Sequence, residues 1–98
     1  MRKEEALRVI GDHSQKLRDY FVKSLSIFGS VARDEAGEAS DIDILVEFEP
    51  GRHVGLFTFI RLKEFLEEIL HCPVDLATNK ALREEMREQI LKEAIHAA

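Results

Sequence analysis

Two aspartates one residue apart, Asp41 and Asp43, run directly into the apolar segment ILVEF, and a third, Asp75, stands in the later segment PVDLAT. On a strand, side chains at i and i+2 leave the same face, with Cα atoms roughly 6–7 Å apart. Ile42, Ile44, Val46 and Phe48 then share the opposite face, which marks 41–49 as a core strand able to hold its carboxylates rigidly. Carboxylates held side by side repel, so one takes up a proton or a cation binds between them. Oxygen-only ligands suit a hard cation such as Mg²⁺ or Mn²⁺. Asp75, on the polar face of a second short strand, completes a three-carboxylate cluster if the two strands are neighbours. D-x-D is common by itself, and Asp41 can equally mark a loop-to-strand junction after Ser40. Glu47 and Glu49 lie farther along the polar face and read as solvated.

A second constellation precedes the first. Gly29-Ser30 follows the alternating segment SLSIF, and Val31-Ala32-Arg33 can form one helical turn. A glycine allows close backbone approach to a ligand, and N–H groups at a helix start together with a serine hydroxyl make a phosphate cradle. Arg33 leaves the same turn and can reach the phosphates as well. The plainer alternative is a strand-to-helix turn with Ser30 as its N-cap. A nucleoside triphosphate with its metal needs both parts, a cradle and a carboxylate cluster. Here they lie some ten residues apart.

The elements that must position these residues can be read from periodicity. Residues 3–21 carry a helical stripe of Ala6, Leu7, Ile10, Leu17, Tyr20 and Phe21, with a break expected at Gly11-Asp12 and Ser14 recapping a second short helix. Residues 24–28 and 41–49 alternate as strands, and Pro50-Gly51 ends the second. Leu56, Phe59, Ile60, Phe65, Leu66, Ile69 and Leu70 predict a helix over 56–70, broken by His71-Cys72-Pro73. PVDLAT reads as a short strand with Val74 and Leu76 on one face, and 84–95 as a last helix with Met86, Ile90, Leu91 and Ala94 on one side. The order α-β-β-α-β-α predicts an α/β (α+β) domain with a small mixed sheet flanked by helices. The first two strands can pair antiparallel, and the helix at 56–70 allows a crossover to the third.

Composition narrows the function classes. At 98 residues, 45% hydrophobic and 34% charged, the chain reads as one globular domain, residues 1–98. A net charge of −5 argues against stable nucleic-acid binding, which depends on clustered Lys and Arg. It leaves nucleotide binding open, since a metal supplies local positive charge. The lone Cys72 cannot form an internal disulfide, no apolar run approaches a membrane span, and the N-terminus lacks a signal-peptide core. These readings predict a cytoplasmic protein. His13, His53, His71 and His96 show no metal-ligand spacing. Tyr20 reads as packing. Gly51-Arg52-His53 reads as a solvated loop that could lie near the nucleotide.

Taken together, F-G-S-V-A-R, S-D-I-D-I-L-V and P-V-D-L-A-T resemble the minimal nucleotidyltransferases of bacteria and archaea, in the DNA polymerase β-like superfamily. The order of elements and the ending L-R-E-E-M-R-E-Q-I-L-K-E-A are similar too, so the resemblance covers nearly the whole chain. It implies that Gly29 and Ser30 hold the triphosphate of ATP, with Arg33 beside them, and that Asp41 and Asp43 bind Mg²⁺ ions. It also implies that Asp75 ligates a catalytic metal and helps activate the attacking hydroxyl. The implied reaction is attack of an acceptor hydroxyl on the α-phosphate with loss of pyrophosphate. The implied acceptor is a tyrosine of a HEPN-domain ribonuclease toxin encoded nearby, for which the chain would be the antitoxin, in a homo- or hetero-oligomer. The competing expectation is an antitoxin that neutralises by binding alone. One departure from the family pattern is Asp34, which stands where many members have glycine.

Overall fold

The computed structural model describes residues 2–33 and 41–98. Asp34 falls outside the described residues. The chain runs through α1 (Lys3–Asp12), α2 (Ser14–Leu17) with a 3₁₀ turn at Arg18–Tyr20, and β1 (Val22–Phe28). It continues through α3 (Gly29–Ala32), β2 (Ile42–Phe48), α4 (Leu56–Leu70) and β3 (Val74–Thr78), then a 3₁₀ turn at Asn79–Ala81, α5 (Glu84–Glu93) and β4 (Ile95–His96). The four strands form one mixed sheet in the order β3-β2-β1-β4. β1 pairs antiparallel with β2 and with β4, while β2 and β3 run parallel across the α4 crossover.

The alternation in the strands is the reason for this arrangement. Leu25, Ile27, Ile42, Ile44, Val46, Val74 and Leu76 are all buried, one apolar face drawn from three strands. Against it pack Ala6 and Ile10 of α1, Leu17 of α2, and Leu62, Leu66 and Leu70 of α4, spaced at one helical turn. Each such leucine contributes about 1.5–3 kcal/mol over its exposed state. Tyr20 stacks on Phe65 at 5.5 Å, and the His13 ring meets the Phe65 edge at 5.9 Å while its Nδ1 bonds the Val9 carbonyl at 2.8 Å. Tyr20 therefore packs, as its place on the stripe predicts.

Several boundaries differ from expectation. The first helix runs through Gly11 and breaks at His13, because Gly11 faces solvent, where its missing side chain costs little packing. A left-handed Phe21 (φ 63°) turns the chain into β1, which begins at Val22, two residues earlier than alternation suggests. Along α4 the N-terminal apolar residues Leu56 and Ile60 are exposed, and Leu62 takes the core position instead. The last helix stops at Glu93, and Ile95–His96 add a fourth strand beside β1. That strand is continued by Ala97 and Ala98, which exchange backbone hydrogen bonds of 2.8–3.2 Å with Leu25. Two residues are too few to produce a periodic signal. Among the described residues no helix is long and apolar enough to cross a membrane.

Candidate active site

The site lies where β1 ends and where β2 and β3 begin. The antiparallel ladder sets Phe28 opposite Asp43, and the parallel ladder sets Asp43 opposite Asp75. Residues in register on adjacent strands lie roughly 4.8 Å apart and project to the same face. The core requires Ile42, Ile44, Val74 and Leu76 to point inward, so Asp43 and Asp75 must point outward together. Asp43 is half-buried and Asp75 exposed. Burial raises the Asp43 carboxyl above its ordinary value of 3.8, and the neighbouring Asp75 raises it further by repulsion and by a hydrogen bond. Asp41 adds a weaker repulsion and the Arg33 guanidinium opposes it. Two carboxyls joined by a hydrogen bond must share a proton, and a cation relieves the same repulsion.

Directly after β1 the chain turns through Gly29 at φ 73°, a left-handed conformation that glycine adopts without penalty. Space is the stronger constraint there. A Cβ at position 29 would run into the Asp43 carboxyl, lying 3.0 Å from its Cγ. Gly29 is thus a surface against which Asp43 rests. The turn that follows, α3, has Phe28 as its N-cap with no side-chain capping bond, so Ser30 is not the capping residue of the plainer alternative. Ser30 is the second residue of that turn and lines the cavity beside it.

That cavity, about 420 Å³, is lined by Phe28, Gly29, Ser30, Arg33 and Asp43 on one side. Met86, Gln89, Ile90 and Glu93 of α5 line the other. The sheet explains the second wall: β4 pairs Ile95 with Ile27, which brings the end of α5 alongside the end of β1. Arg33 Nη1 meets Glu93 Oε2 at 3.0 Å across 60 positions of sequence. Nothing in the sequence pattern marks this helix as part of a site. The sequence places Met86 and Ile90 on one side of the helix, yet α5 has no buried residue and Met86 is 51% exposed.

Of the residues expected to act, Gly29, Ser30, Arg33 and Asp43 share this one cavity, and Asp75 adjoins through Asp43. Asp41 lies just before β2, exposed, and reaches Asp43 only by its charge. Among the described residues no group of three or more His, Cys, Asp or Glu side chains is gathered closely enough to hold a metal ion. The donor chemistry that fits a hard divalent cation is concentrated in the Asp43–Asp75 pair. Gly51, Arg52 and His53 are exposed, as a solvated loop should be, and line a separate cavity of about 680 Å³ with Phe48, Phe59 and Lys80. No residue is common to the two linings. Cys72 is half-buried and burial pushes its thiol above the ordinary 9.0, which leaves it a poor nucleophile.

A glycine turn at the end of one strand faces paired carboxylates on the next two, a donor set whose chemistry fits a phosphate group with a hard cation. Comparison with known proteins agrees. Residues 10–96 match the family model of the nucleotidyltransferase domain, and the chain belongs to that family. It is 38% identical over 94 residues to the protein adenylyltransferase MntA of Thermococcus cleftensis, covering 95% of this chain and 93% of that one. A solved structure assigned as a minimal nucleotidyltransferase superposes with a TM-score of 0.80 at 39% identity, covering 97% of this chain and 95% of the other. The fold extends to a more distant structure of a tri-AMPylated Shewanella oneidensis HEPN toxin in complex with an MNT antitoxin. There the TM-score is 0.64 and the identity 20%, over 94% of this chain and 71% of that one. The chain is accordingly an enzyme of the nucleotidyltransferase type.

Proposed function

We propose that residues 1–98 act as one domain that transfers AMP from ATP to a hydroxyl of a partner protein, and that the partner is a HEPN ribonuclease toxin modified on a tyrosine. The observation that carries the nucleotidyl-transfer part is the register of Asp43 on Asp75 beside Gly29. The acceptor is supported by the names that related proteins bear, protein adenylyltransferase at 38% identity and antitoxin of a HEPN toxin at the level of the fold.

In this reading Gly29 and Ser30 cradle the triphosphate, and Arg33, on the same cavity wall, neutralises part of its charge. Asp43 and Asp75 would hold Mg²⁺, with Asp41, just before β2, as a further oxygen donor. Bound Mg²⁺ supplies charge neutralisation at the triphosphate and acidifies an acceptor hydroxyl. Asp75, the exposed member of the pair, takes the proton of that hydroxyl. The hydroxyl oxygen attacks the α-phosphorus, the bond from that phosphorus to the bridging oxygen breaks, and pyrophosphate leaves. Rigid strand ends supply the orientation, since little else is asked of the protein.

The test is co-expression with the neighbouring gene product, followed by incubation with Mg²⁺ and α-labelled ATP. Label is expected on the partner and is expected to vanish in the Asp41→Ala/Asp43→Ala double variant. Label that persists in the double variant overturns the catalytic assignment. Absent label with the toxin still neutralised means inhibition by binding alone.

A further inference from the structure

In-line displacement at phosphorus sets the entering oxygen opposite the leaving one. On the outer face of the sheet the site forms a single row: Phe28 on β1, Asp43 on β2 and Asp75 on β3. The glycine turn that would hold the leaving pyrophosphate follows Phe28, at the β1 end of that row. The acceptor hydroxyl must then arrive from the other end, past Asp75. There the row stops, because β3 is the edge of the sheet among the described residues.

The backbone bonding of β3 fixes which groups that edge offers. The Pro73 carbonyl accepts the Ile42 N–H at 3.0 Å, while the next N–H, of Val74, turns the other way and donates to Glu67 Oε2 at 3.0 Å. Backbone polar groups alternate in direction along a strand. Asp75 and Ala77 therefore direct theirs to β2, and Leu76 and Thr78 direct theirs outward, where no described strand meets them. Open edges are ordinarily blunted by lysine, proline or a bulge. Residues 74–78, VDLAT, carry neither lysine nor proline, and their one charge, Asp75, leaves by the sheet face. Only the Val74 donor is closed, by Glu67.

We infer that the open edge of β3 docks the acceptor: it takes an extended segment of the partner protein as a fifth strand, in the register that sets the hydroxyl-bearing residue beside Asp75. Neighbouring strands lie roughly 4.8 Å apart and residues in register project to one face, so the hydroxyl extends the row of carboxylates. The residues on either side of the acceptor turn to the core face beside Val74 and Leu76, where apolar side chains fit. Main-chain bonds to the edge hold the segment, and these flanking side chains select it. This inference rests on the proposed transfer to a partner hydroxyl.

Amide hydrogen exchange is followed on the isotope-labelled chain, alone and with the unlabelled neighbouring gene product. Exchange at Leu76 and Thr78 should slow at least about tenfold when the partner is added, while Val74, already bonded to Glu67, changes little. Thr78→Pro removes one outward donor, at a φ of −94° near the proline range and at an N–H that β2 does not use. It should raise KM for the partner about tenfold, with kcat changed less than about threefold. Glu84→Pro, at the first residue of α5, where proline is well tolerated, should leave both values unchanged. Transfer that proceeds with no slowing at Leu76 overturns the inference alone, since the acceptor then reaches Asp75 by another route. Slowing that appears as the chain's own concentration rises, with no partner present, gives the edge to a second copy and overturns it as well. A partner that receives no AMP from the wild-type chain overturns the acceptor reading and this inference together. If the melting temperature of Thr78→Pro shows it unfolded, the exchange measurement on wild type decides alone.

Discussion

The parallel pair β2–β3 has two ends, and they differ in kind. At the Asp43–Asp75 end the cavity is the smaller one, about 420 Å³, and the groups around it are in electrostatic conflict. At the Val46–Thr78 end the cavity is larger, about 680 Å³, and its charges are mostly settled. There Glu47 pairs with Lys23 at 3.0 Å, Glu49 pairs with Arg52 at 3.6 Å, and Arg52 lies over the Phe21 ring at 4.7 Å. Exposed pairs of this sort add little stability, up to about 1 kcal/mol, but each neutralises its own two charges. Volume thus points to one end of the strands and unrelieved charge to the other. Chemistry follows the charge, because a strained carboxylate pair gains most from a cation, while an open hollow with paired charges gains little.

The comparison is most easily broken at the carboxylates. Asp43→Asn or Asp75→Asn should reduce AMP transfer at least ~10³-fold, measured as label on the partner. The same Asp43→Asn variant should melt at a higher temperature than wild type in metal-free buffer at neutral pH, because it removes a desolvated, repelled charge. Mg²⁺ should then raise the melting temperature of wild type but not of the variant. A variant that is inactive and less stable would show Asp43 to be a structural residue. Next in size is Gly29→Ala, whose methyl meets the Asp43 carboxyl and whose backbone sits at φ 73°. It should cost about 1–2 kcal/mol in urea unfolding and lower transfer more than ~10-fold.

A smaller effect is expected from Glu67 on α4, whose Oε2 accepts the Val74 backbone N–H at 3.0 Å and fixes the start of β3 beside Asp75. Glu67→Ala should cost about 1 kcal/mol and lower transfer a few-fold through loosened register. The smallest effect belongs to the far end. His53→Ala and Lys80→Ala line only the larger cavity and should leave transfer within about twofold of wild type. Loss of transfer there would join the two ends into one site and undo the contrast drawn between them.

Much of the near end was legible because strands impose a period of two. Ile42, Ile44 and Val46 had to share a face, so Asp43 had to leave by the other, and the same held for Asp75 between Val74 and Leu76. Gly29 was legible as a turn residue, but its contact with Asp43 was not, since the two meet only when β1 pairs with β2. Helices were read less well. The stripe of α4 spans its whole length, yet only the spacing Leu62, Leu66, Leu70 is fully buried, while Leu56 and Ile60 at its N-terminal end stay exposed. α5 misled more completely. Its apolar residues make a cavity wall and a surface, and its bond to Arg33 crosses the chain.

By itself the sequence determined the class of the fold and the residue types at the site, since periodicity and turn chemistry are local and every segment carries its own. It could not determine which carboxylates meet. That was decided by the register of β2 on β3, which pairs Asp43 with Asp75 and leaves Asp41 one step before the ladder. It could not recruit α5 either. Only the antiparallel addition of β4 beside β1, two residues long, brings Glu93 to Arg33. Both are long-range pairings whose partners are chosen by the packing of the whole sheet, and no short stretch of chain contains that information.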